Sequence, residues 1–156
     1  MFLTMMKRTS KSPWLYNGNI VDDESQFPEG TLGFVYRIVR VSDGKFYYGK
    51  KLGWFSKTSI KTVTLKSGVK KRKKVKSLVP SDWKTYWSSS PELVADVGKL
   101  GEAAFTREIL MFCSNKGSLG YFEARSQMDA RVLERNDSYN GIINCRVHRT
   151  HVKPIL

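Results

Sequence analysis

The chain has 156 residues, 40% of them hydrophobic and 12% aromatic, which fits one domain with a packed core and excludes both a disordered chain and a pair of large domains. Lys and Arg number 27 against 14 Asp and Glu, a formal charge of +13, and so small a chain with that charge attracts polyanions, nucleic acid first. No segment approaches the roughly 20 apolar residues of a membrane span, and the apolar run at residues 1–6 is followed by charge rather than preceded by it. Two cysteines, Cys113 and Cys145, are too few for a disulfide framework and fit a reducing compartment. The expectation is a soluble, intracellular, non-secreted protein without a membrane partner.

Residues 1–32 read as an N-terminal extension, basic at Lys7, Arg8 and Lys11, aromatic at Trp14 and Tyr16, and acidic over Asp22-Asp23-Glu24. The run from Gly33 to Val41 is β-branched and aromatic, Ser42-Asp43-Gly44 is turn chemistry, and Lys45 to Lys51 is a second strand, so this stretch predicts a β-hairpin. Between Gly44 and Ser81 there is no acidic residue but 12 Lys and Arg. Within it, residues 60–65, a Lys66-Ser67-Gly68 turn and residues 69–75 outline a second hairpin, a basic insertion over 57–76. It reads either as a solvated loop or as a protruding ribbon. In both forms Lys57, Lys61, Lys70, Lys71, Arg72, Lys73, Lys74 and Lys76, together with Lys50 before them, are candidates to meet phosphates without reading sequence.

Ser81 to Trp87 is an aromatic turn, after which Ser89 or Ser90 can cap a helix from Pro91 to about Gly101 with Leu93, Val94 and Val97 inward. Phe105 to Cys113 predicts a third strand. A second helix follows from about Ser118 to Glu134, with Tyr121, Ala124, Met128 and Leu133 as its apolar stripe. A last strand opens at Tyr139-Asn140 and runs to Cys145, and residues 147–156 form a basic tail.

Phe34-Val35-Tyr36, followed after ten residues by Tyr47-Tyr48-Gly49, resembles the paired tripeptides of the GIY-YIG nuclease superfamily. The order downstream strengthens the likeness: a Phe-x-Arg-Glu-Ile-Leu strand at 105–110, Glu123 in Tyr-Phe-Glu-Ala on a helix, and Tyr139-Asn140. Over roughly residues 33–146 the chain resembles the phage-type, free-standing (Seg-like) homing endonucleases of that superfamily. The fold expected is α/β (α+β): a small, mostly antiparallel central sheet flanked by helices, with the basic hairpin inserted. The resemblance implies a metal-dependent endonuclease acting on double-stranded DNA, located in the host-cell cytoplasm if phage-encoded. A non-catalytic DNA- or RNA-binding protein on the same fold is the alternative.

Phosphodiester hydrolysis needs an activated water and cations to absorb developing charge. Tyr36 and Tyr47, on adjacent strands, can present two phenols to one point. Lys51 is four residues from Tyr47, on the same face of an ideal strand, where it can stabilise a phenolate. The superfamily's metal-binding glutamate maps onto Glu123, near a helix N-terminus, and suits one oxygen-preferring ion, Mg²⁺ (or Mn²⁺). The family's helix arginine and the His or Tyr four residues later map onto Asp82 and Tyr86. Asp82 has the wrong sign for phosphate, so Lys84, Lys50 or Arg107 are the candidate substitutes. Asn140 is a candidate hydrogen-bonding support. Cys113, Cys145, His148 and His151 have zinc-ligand chemistry but lack zinc-ligand spacing.

Overall fold

Alternation along the first hairpin sets the architecture. In the computed structural model, which describes residues 12–156, β3 (Gly33–Arg40) pairs antiparallel with β4 (Phe46–Leu52). Phe34, Tyr36 and Ile38 bury on one face of β3, and Val35 on the other. The basic residues of the first eleven positions lie outside the described residues. The predicted third strand is β7 (Phe105–Cys113), antiparallel to β3 on the side away from β4. The extension adds more than a strap: β1 (Trp14–Tyr16) runs parallel to β7, and β2 (Asn19–Val21) folds back on β1. The result is a five-stranded sheet of order β2-β1-β7-β3-β4, with one parallel pair and three antiparallel ones.

Each face carries its own layer. The aromatic turn and α1 (Pro91–Leu100) cover the Tyr36 face through Trp83, Trp87, Leu93 and Val97, and Trp14 packs edge-on to both Phe34 and Tyr36 at 5.2 Å. Ser90 caps α1 by accepting from Leu93 N–H. Val94, expected inward, is exposed. The opposite face receives α2 (Lys116–Asp129), which buries Leu119 and Phe122 against Val35 and Cys113.

Two expectations in the second half need correction. Helix α2 starts at Lys116, capped by Asn115, and stops at Asp129, where Arg131 takes a left-handed φ of 52° and the Arg131 and Val132 N–H groups close on Met128 and Gln127 carbonyls. The stop carries no glycine, so no local signal marks it ahead of the expected end at Glu134. Of the predicted stripe only Ala124 is buried: Tyr121, Met128 and Leu133 are exposed, and Gln127 is buried instead. The last strand, Tyr139 to Cys145, does not form. Only Ser138 bridges to Phe46, while Tyr139 N–H donates to the Phe46 carbonyl.

The basic insertion forms a two-stranded ribbon, longer than predicted. β5 (Trp54–Thr64) and β6 (Lys70–Pro80) pair over eleven positions as a separate antiparallel sheet. Directly opposed residues share a face. One face therefore holds Phe55, Lys57, Ser59, Lys61 and Val63 with Lys71, Lys73, Val75 and Val79, and the other holds Lys70, Arg72, Lys74 and Lys76 opposite Thr64, Thr62, Ile60 and Thr58.

Candidate active site

β3 and β4 bring the two tripeptides together. Tyr36 lies opposite Gly49, and a Cβ built on Gly49 would stand 2.5 Å from the Tyr36 hydroxyl and 2.7 Å from the Tyr47 ring, so only glycine leaves both phenols room. A register shift between Val35 and Tyr36 against β7 falls beside the first of these tyrosines. The Tyr36 and Tyr47 rings lie 6.1 Å apart, and the Tyr86 ring stands edge-on to Tyr36 at 6.1 Å. Tyr36 is 1% exposed and shielded by this contact with Tyr86. The Tyr47 hydroxyl meets Ser89 Oγ at 3.0 Å. The three phenols thus pack together around Tyr36, and Ser89 is hydrogen-bonded to one of them.

Ser89 was legible in the sequence only as a possible helix cap. Its neighbour Ser88 holds a φ of 115°, and this bent backbone leads the chain from the buried Trp87 to an exposed Ser89 at the Tyr47 phenol.

Burial raises the pKa of Tyr36 well above the ordinary phenol value, and raises those of Tyr47 and Tyr86 as well. The negative charge of Glu123 pushes all three in the same direction, which places that carboxylate within electrostatic reach of the cluster. The phenols are therefore neutral in the free protein. The cation expected to draw Tyr36 or Tyr47 toward phenolate sits elsewhere: Lys51 Nζ lies 4.0 Å over the Tyr86 ring and donates to Asp82 Oδ1 at 2.5 Å. Asp82 thus anchors Lys51 beside Tyr86.

Among the cations expected to serve in place of Asp82, Lys50 faces Glu123, with Nζ 3.8 Å from Oε1. Lys84 pairs with Glu24 at 3.5 Å, away from the cluster. Arg107 does not reach the site. It is 1% exposed, between the Trp14 and Trp87 rings, and donates to the carbonyls of Ser12, Lys84 and Tyr86. Desolvation brings its pKa down to about 10. As a buried core residue it holds the backbone that carries Tyr86, not a phosphate.

Glu123 comes around the free edge of β4. Burial pushes the pKa of its carboxylate up, and the charge of Lys50 opposes that rise. The same edge is closed by amides: Asn140 accepts from Tyr48 N–H at 3.0 Å and donates to the Tyr48 carbonyl at 2.8 Å, a carbonyl that Gln127 also reaches at 3.0 Å. Asn140 is thus a support for β4, with both ends of its amide used on backbone.

No three His, Cys, Asp or Glu side chains cluster into a metal shell among the described residues. The zinc set fails with that: Cys113 is buried with its thiol pushed up to about 11, and Cys145 is exposed. A single hard divalent ion remains compatible with Glu123, because such ions take one carboxylate and complete their shell with water and substrate phosphate. A desolvated carboxylate balanced by one lysine at 3.8 Å is a donor of the right chemistry for that ion.

Residues 14–143, most of the chain, match a family described as "Putative endonuclease segE, GIY-YIG domain". The chain belongs to the SegE GIY-YIG family. The matched span of this GIY-YIG endonuclease domain begins at Trp14, the first residue of β1, and includes the whole ribbon. No curated protein and no solved structure matches the chain. Among its described residues no helix is long and apolar enough to cross a membrane.

Proposed function

We propose that this GIY-YIG domain hydrolyses phosphodiester bonds of double-stranded DNA with one Mg²⁺ (or Mn²⁺) ion at Glu123, in the manner of the phage homing endonucleases it resembles. The observation that carries the reading is the convergence of Tyr36, Tyr47, Tyr86, Lys51 and the Glu123 charge alongside β4. Those residues lie 87 positions apart at the extremes and share no local structural reason to meet.

Glu123 would hold the ion, which when bound supplies a Lewis acid for a phosphate oxygen and a polarised water. The chain's own groups do the rest. Lys50 and Lys51 stand where they offset charge on the phosphate oxygens as the water oxygen bonds to phosphorus and the bond to the leaving oxygen breaks. Tyr47, neutral in the free protein and tethered to Ser89, orients the attacking water; it takes the water's proton only when cations in the filled site lower its pKa. Tyr36 is too buried to touch substrate and positions Tyr86. Ribbon cations without acidic partners among the described residues supply affinity for the DNA backbone.

Incubation of purified protein with supercoiled plasmid, with and without Mg²⁺, tests this. Nicked or linear product only with the metal supports the reading. Salt-sensitive binding without any product under either condition supports the non-catalytic alternative.

A further inference from the structure

The cleft beside the tyrosine cluster has a composition that hydrolysis alone does not require. It encloses about 300 Å³ between β4, the root of the ribbon and the start of α2. Leu52, Phe55 and Leu119 give it apolar lining, and Tyr86, Lys50, Lys51 and Lys116 line it as well. Phe55 is a large aromatic left 41% exposed, with Lys51 Nζ 5.2 Å from its ring. Lys50 and Lys51 have carboxylate partners, whereas Lys116 has none among the described residues.

We propose that this cleft is a nucleotide subsite, receiving one unstacked nucleotide of the DNA strand beside the scissile phosphate, its base against Phe55 and its phosphates among the three lysines. The inference rests on the nuclease reading above. Two features select the occupant. Lysines in the lining call for phosphate. An exposed aromatic ring in the lining calls for the face of a base, which a stacked and paired base does not offer, so the nucleotide must leave the helix to fill the site. Position agrees with chemistry. Phe55 begins the ribbon face that carries Lys57, Lys61, Lys71 and Lys73, so a backbone tracked by those cations arrives at the cleft, and Tyr86 joins the cleft to Tyr36.

The test is binding, in EDTA, to a duplex with one extrahelical base, the same duplex with that residue abasic, and the fully paired duplex. A protein that stacks a free base prefers the first to the second by about 5- to 150-fold, the range for one base on one aromatic side chain. Phe55→Ala and Phe55→Leu should erase that preference, and Phe55→Tyr should keep it. The dependence of binding on salt should stay the same in all four proteins, because no charge changes. Equal binding of the base and abasic bulges by the wild type, or an undiminished preference in Phe55→Ala, overturns the proposal. Loss of the nuclease reading would appear separately, as intact bulge preference with no plasmid nicking in Mg²⁺.

Discussion

Two ribbon variants of equal charge separate a solvated basic hairpin from one with a DNA-facing side. The β5–β6 register puts Lys57, Lys61, Lys71 and Lys73 on the face that begins with Phe55, and Lys70, Arg72, Lys74 and Lys76 on the other. Phe55, at the root of the first face, lines the cleft, so that face leads into it. Replacing either set of four by Gln removes four charges. If each cation of the cleft-side face neutralises one phosphate, log K against log [salt] flattens by about 0.9 per contact, or about 3–4 in total, for the Lys57, Lys61, Lys71 and Lys73 variant. The other variant should flatten it by less than about 1 on the same scale. Fluorescence anisotropy on an unrelated-sequence duplex from low to moderate salt reads both slopes. Equal slopes in the two variants, at any value, would refute a DNA-facing side.

Arg107→Lys, which cannot span three carbonyls between two indoles, should destabilise the domain by about 2–4 kcal/mol in urea melts while leaving the salt slope of binding unchanged. A flattened slope would return Arg107 to the DNA interface. Tyr47→Phe should lower the cleavage rate by about 10²–10⁴-fold at near-wild-type affinity; unaltered turnover would make Tyr47 a strand aromatic only. Because burial raises the Glu123 pKa and Lys50 opposes that rise, Lys50→Met should move the acid limb of the cleavage pH profile to higher pH. An unmoved limb would separate Lys50 from the ionisation of Glu123.

The hairpin, β7 and the start of α1 were legible because their signals are local: alternation with turn residues, and Ser89 or Ser90 before Pro91, of which Ser90 is the cap. What was not legible depends on partners distant in sequence. Trp14–Tyr16 contains too few residues to announce a strand, and becomes one because β7 offers a free edge. Gln127 contradicts an apolar stripe yet is buried, its amide joining Asn140 in donating to the Tyr48 carbonyl on the edge of β4. Arg107 has the composition of a phosphate ligand and is instead sealed between Trp14 and Trp87, an environment no window around it encodes. The tyrosine pair was read from the two tripeptides and does lie side by side, whereas Ser89 could be recognised only once Tyr47 had been brought to it.

The central claim is that Glu123 serves turnover through a bound divalent ion and contributes little to holding DNA. Glu123→Gln measures this most directly, in parallel assays of Mg²⁺-dependent plasmid nicking, duplex affinity and thermal stability. Nicking should fall at least about 100-fold while affinity stays within a few-fold, because Lys50 is released toward phosphate when its carboxylate partner goes. The fold opposes ionisation of this carboxyl, so its destabilising effect sets in as pH rises from the ordinary carboxylate range through its raised pKa; the variant should melt higher than wild type at neutral pH and no higher at acid pH. Undiminished nicking by Glu123→Gln would contradict the account.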